Sequence, residues 1–115
     1  MVDKLTFVAF REGKHWVGVG IEKFVAAQAD SLKELWPAVH RAVAAEIVVA
    51  REHRLVPFGR IKKAPKDVQR RMKGAFRIDP TTLDVPKYRI DKVAFGSLVT
   101  EELGLQLPAL ELWVC

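Results

Sequence analysis

An α+β domain is the fold this 115-residue sequence predicts, with a small antiparallel sheet of β-β-β-α order packed on one long helix. Three observations carry that prediction. Two β-type runs flank a polar, glycine-containing link; a third run follows them; and an amphipathic stretch with a capping signature opens at Ser31. Leu5-Thr6-Phe7-Val8-Ala9-Phe10 and His15-Trp16-Val17-Gly18-Val19-Gly20-Ile21 are rich in β-branched and aromatic residues, and Arg11-Glu12-Gly13-Lys14 between them suits a tight hairpin. Phe24-Val25-Ala26-Ala27-Gln28-Ala29 reads as the third strand.

Ser31 and Glu34 form the S-x-x-E capping box, in which the serine hydroxyl accepts an orphan helical N–H and the glutamate reaches back. Leu32, Leu35, Trp36, Val39, Val43, Ile47 and Ala50 then recur at three- and four-residue steps and give one apolar stripe. Pro37 interrupts the pattern. It lacks the N–H that an interior helical position donates, so a kink or a boundary shift is expected near Trp36.

Pro57 and Gly59 lead the chain out of that helix. Ala64-Pro65-Lys66-Asp67 opens a second, shorter one, running to about Lys73 before Gly74, with Val68 and Met72 as its apolar face. Asp79-Pro80-Thr81-Thr82 is a turn signal. Tyr88 to Phe95 alternates as a half-buried strand, and Glu111-Leu112-Trp113-Val114 reads as a last one. Neither a repeat nor a linker divides the chain, so residues 1–115 are expected to be a single domain with a core in 1–75 and a C-terminal extension in 76–115.

Half the residues are hydrophobic and 29% are charged, which describes a globular protein rather than a disordered one. Apolar runs fall well short of a membrane span, and the cytoplasm is the expected location. A single cysteine, Cys115, excludes an intramolecular disulfide and a cysteine metal cluster. The net charge of +5 is unevenly spread: residues 51–77 hold ten basic side chains against two acidic ones. Arg60, Lys62, Lys63, Lys66, Arg70, Arg71, Lys73 and Arg77 are therefore candidates for binding nucleic acid or an acidic partner. A solvated helix face has the same composition.

Catalytic signatures are missing from the sequence pattern. Gly18-Val19-Gly20 lies inside a strand with no helix opening after it, so close packing on the helix explains it better than a phosphate loop. Asp3, Glu12, Glu22 and Asp30 have no spacing that pairs carboxylates for a two-metal nuclease. His15, His40 and His53 are dispersed, and a solvated or hydrogen-bonded role is expected of each. The expectation is a protein without catalytic residues, metal or cofactor. Trp16 and Trp36 are core candidates, whereas Trp113, close to the terminus, is a candidate partner-interface residue.

Phe7-Val8-Ala9-Phe10-Arg11-Glu12-Gly13 with Trp16-Val17, then Ala29-Asp30-Ser31-Leu32-Lys33-Glu34-Leu35, resembles the HicB-like antitoxin domain of HicA–HicB toxin-antitoxin systems. Val56-Pro57-Phe58 through Ala64-Pro65-Lys66-Asp67-Val68 resembles the extension of longer members. The resemblance implies a partial ribonuclease-H-like fold without nuclease chemistry, a homodimer joined through strand edges, and neutralisation of a toxin by occlusion. Such toxins are basic, so the basic segment of this chain is expected to face away from the toxin, towards DNA or RNA. A small nucleic-acid-binding module using residues 51–77 is the alternative, and a standalone inhibitor of a larger nucleic-acid enzyme is a third reading. Residues 97–110 superficially follow a helix-turn-helix pattern, but Pro108, Ala109, Leu110 and Glu111 stand where base-reading side chains belong, so an apolar packing segment is expected instead.

Overall fold

Six consecutive buried residues, Leu5 to Phe10, mark the centre of the structure, a computed structural model that describes residues 4–79 and 108–115. They lie in β1 (Lys4–Glu12), which is followed by β2 (His15–Gly20), β3 (Ala26–Ala29) and α1 (Leu32–Glu52). After these come α2 (Lys66–Arg71), a 3-10 turn (Met72–Gly74), β4 (Phe76–Ile78) and β5 (Ala109–Val114). One sheet contains every strand among the described residues, in the order β3-β2-β1-β5-β4. β1 is thus hydrogen-bonded on both edges and covered on both faces. A strand in that position reads as a continuous apolar run.

The expected β-β-β-α core is present, with β2 antiparallel to both β1 and β3. β5 joins β1 in parallel register, Phe7 opposite Leu112, and β4 closes on β5 antiparallel, so the sheet is mixed. Leu112 is fully buried, which makes the C-terminal strand part of the core. In the hairpin, Glu12 pairs with His15 and leaves a two-residue loop. Gly13 at its first central position takes φ of 60°, which a type II′ turn needs and a side chain resists.

α1 starts as expected: the Ser31 hydroxyl accepts the Glu34 N–H at 3.2 Å. The helix runs through Pro37 without a break, so the boundary shift expected near Trp36 does not occur. Leu35, Val39, Val43 and Ile47 lie against Leu5, Phe7, Ala9 and Leu112, with Leu32 and Trp36 partly buried at the margin. A methyl group at Gly18 would sit 3.2 Å from Val39 Cγ2, so this glycine lets α1 approach the sheet. Gly20 has another cause. A side chain there would collide with the Lys23 carbonyl oxygen, because the chain doubles back through a Gly20 N–H to Val25 carbonyl bond of 2.8 Å. That turn also delays β3 until Ala26, two residues after the strand expected from Phe24.

α1 ends at a Schellman arrangement, ahead of Pro57. The Leu55 N–H donates to the Ala50 carbonyl at 2.8 Å and the Arg54 N–H to the Arg51 carbonyl at 3.0 Å, with Arg54 left-handed at φ of 55°. Phe58 is left-handed too, at φ of 64°, yet only 2% exposed. Such a backbone costs a bulky residue roughly 1–2 kcal/mol, and burying the ring recovers about 1.5–3 kcal/mol. The strand expected at Tyr88–Phe95 and most of the 97–110 segment lie outside the described residues; Ala109 and Leu110 within that segment belong to β5.

The second face of the sheet has its own cluster. Val8, Phe10 and Val19 pack with Ala64 and Val68, and Met72 and Ala75 border them. α2 and the 3-10 turn after it direct the expected apolar face, Val68 and Met72, inward. Among the described residues no helix is long and apolar enough to cross a membrane.

Two changes test these assignments. Arg54→Gly removes the left-handed penalty and is expected to raise unfolding stability by about 1 kcal/mol in a urea melt; an unchanged midpoint counts against the Schellman assignment. His40 lies half-buried with its Nδ1–H donating to the Trp36 carbonyl at 3.1 Å, and burial holds its pKa below the ordinary value despite that hydrogen bond. The folded state therefore binds the proton more weakly than the unfolded state. Stability from this group is complete above about pH 6.5 and declines as pH falls through the depressed value, and His40→Gln should flatten that decline in melts between about pH 7 and 5.

Candidate functional site

The chain reaches its basic segment by wrapping round one end of the sheet. Phe58 plugs the α1-side core, whereas Ala64, six residues later, belongs to the α2-side core. Between them the backbone is bonded to the β2–β3 connection: the Phe24 N–H donates to the Lys62 carbonyl at 2.7 Å and the Ala64 N–H to the Ile21 carbonyl at 3.0 Å. Lys23 Nζ donates to the Ile61 carbonyl at 3.1 Å. Nothing in the spacing of the sequence signals this tie.

The connection is itself clamped. The Thr6 N–H and hydroxyl donate to the two carboxylate oxygens of Glu22, each at 2.7 Å, and the Ile21 N–H donates to the Thr6 carbonyl at 2.9 Å. Thr6 is the buried polar residue among the described ones, and this carboxylate satisfies both of its donors. Glu22 is thus a structural residue. Asp30 accepts from His15 Nδ1 at 3.1 Å at the far end of the sheet. Among the described residues no group of three His, Cys, Asp or Glu side chains could hold a metal ion.

α2 then projects its cations outward. With Val68 and Met72 turned in, Lys66 and Arg70 lie four residues apart on the outer face and Lys73 three further on, all exposed. Arg60, Lys62 and Lys63 are exposed on the approach. Among the described residues, none of these six makes an ion pair or a side-chain hydrogen bond. The other two sequence candidates are engaged. The Arg71 guanidinium lies 4.0 Å over the Phe10 ring, a contact of about 0.5–1 kcal/mol that holds α2 to the sheet, and Arg77 Nη2 lies 3.6 Å from Glu111 Oε1.

Trp113 joins this face of the molecule. Strand alternation places Leu110, Leu112 and Val114 on the α1 side, and Glu111 and Trp113 on the α2 side, with Trp113 in register with Val8 and Arg77. The indole is half-buried and its Nε1–H points to Glu111 Oε2 at 3.4 Å. Glu111 also receives Lys4 Nζ at 3.1 Å, and this bond, helped by the indole N–H and Arg77, holds its carboxyl below the usual carboxylate range. The basic segment and Trp113, unrelated in sequence, therefore share one face of one sheet.

Glu22→Ala strands both Thr6 donors in a buried site and is expected to cost about 1–3 kcal/mol in an equilibrium melt, with Glu22→Gln intermediate. Equal stability of wild type and Glu22→Ala would remove the clamp from the account of how the basic segment is held.

No family model, curated protein or solved structure matches this chain.

Proposed function

We propose that this protein is a non-catalytic binding protein of the HicB-like antitoxin type, acting by covering the active surface of a partner. The observation that carries the reading is the β3 edge. Ala26, Ala27, Gln28 and Ala29 bear no charge and no proline, and among the described residues they pair only with β2. An open, neutral edge offers backbone donors and acceptors to another chain. The β-β-β-α frame, the engagement of Glu22, Asp30 and Glu111 in structural contacts and the placement of α2 opposite α1 all support the same reading. The β3 strand itself carries no basic side chain to oppose a basic toxin.

The test begins with the neighbouring reading frame. Co-expression with a short basic protein encoded there is expected to yield a soluble complex and to restore growth, whereas Ala26→Lys with Gln28→Lys should abolish the complex and leave the melting temperature unchanged. If no such frame exists and no toxin is neutralised, the antitoxin reading is withdrawn. Size-exclusion of the isolated chain with the same double variant tests homodimerisation through β3, for which a dimer lost on substitution is the expected outcome.

The free cations of α2 favour a second reading, that of a nucleic-acid-binding surface. Binding through six phosphates should weaken by roughly a thousandfold between about 50 and 200 mM salt, and Arg70→Gln with Lys73→Gln should reduce the slope by about two. Absence of DNA and RNA binding at low salt eliminates this reading.

A further inference from the structure

We infer that the α2 face of the sheet binds a single strand of nucleic acid, stacking unpaired bases on Trp113 and Phe24 and passing the phosphates along Lys66, Arg70 and Lys73. The inference rests on the nucleic-acid reading above and narrows it to one class of ligand. Cations alone do not distinguish duplex from single strand, because both present phosphates. Aromatic faces do, because only an unpaired base has a free face to stack on.

Two aromatic groups border the ridge. At its start, Phe24 is 45% exposed and fixed beside Lys62 by the 2.7 Å backbone bond, with Lys23 adjoining it in sequence. A lone exposed phenyl ring is ordinary; one tied to the entrance of an unpaired cationic track is placed for use. At the other end the chain passes from Gly74 through Ala75 into β4, whose Arg77 lies in register with Trp113. The indole lies on the α2 side next to Val8, remains half-buried, and is oriented by Glu111. Glu111 does not repel phosphate there, since Lys4 at 3.1 Å and Arg77 at 3.6 Å place two cations on one carboxylate. Phe24 follows β2 and Trp113 lies on β5, and two strand spacings, on the order of 10 Å, separate those strands, a width that an extended strand of a few nucleotides can cross. Arg71, seated on Phe10, is held out of the ligand path and serves the fold.

Fluorescence anisotropy on the full chain tests the assignment, with labelled oligo-dT, oligo-rU and a DNA duplex of equal length as probes. At low salt either single strand is expected to bind at least tenfold tighter than the duplex. Phe24→Leu and Trp113→Leu should each weaken single-strand binding about five- to tenfold with the salt slope unchanged, and Trp113→Phe should recover most of the loss. Arg70→Gln with Lys73→Gln should lower the slope and leave the preference for single strands. Phe24 is exposed in a loop, so its variant decides the matter even if Trp113→Leu lowers the melting temperature. Duplex binding equal to single-strand binding, or aromatic variants without effect, overturns the stacking inference and leaves the nucleic-acid reading standing. Failure of all three probes to bind overturns both.

Discussion

The carboxylate of Glu22, taking both donors of Thr6, is the contact on which the arrangement of the two faces depends. It draws the chain after β2 back across the start of β1 and so presents Ile21, Lys23 and Phe24 as a docking edge for residues 61–64. That edge supports the crossing from the α1 side to the α2 side, whose two ends are held by Phe58 in one core and Ala64 in the other. Two charge-assisted hydrogen bonds in a partly buried site are stronger than their neutral counterparts, and their loss leaves buried groups unsatisfied. A single acidic residue in a turn thereby helps to place a cluster of basic residues.

That division separates two kinds of surface. The β3 edge offers neutral backbone, and the outer side of α2 offers unneutralised cations. Charge complementarity then requires different occupants for the two: a protein strand for the first and a polyanion for the second. The proposed antitoxin role and the proposed nucleic-acid surface are therefore compatible in one molecule. A basic partner at β3 and an anionic strand along α2 would not compete for the same side chains.

Much of the frame was legible from residue pattern. The hairpin follows from strand-forming runs about a glycine turn, α1 from Ser31, Glu34 and a regular apolar stripe, and α2 from Pro65 with Val68 and Met72. The parallel partnership of β1 with β5 was not legible, because period-two alternation specifies which face a residue takes but not which strand lies beside it. Pro37 misled by a general rule that α1 tolerates, and Arg54 concealed the helix end by taking a backbone conformation that sequence patterns reserve for glycine. For the candidate site, the density of charge in residues 51–77 singled out cations that the structure places on the surface. Their separation into free and engaged ones was invisible, since Arg71 meets Phe10 and Arg77 meets Glu111 across long stretches of sequence.

β1 supplies Leu5, Phe7 and Ala9 to one hydrophobic cluster and Val8 and Phe10 to the other. Neither cluster can dissolve while the other stays intact, because the same short length of backbone would have to be native on one face and solvated on the reverse. The domain should consequently unfold as one cooperative unit, with the amides of β1 exchanging only through global opening. Tension from a ligand on either side would then be felt as a change in the stability of the whole molecule.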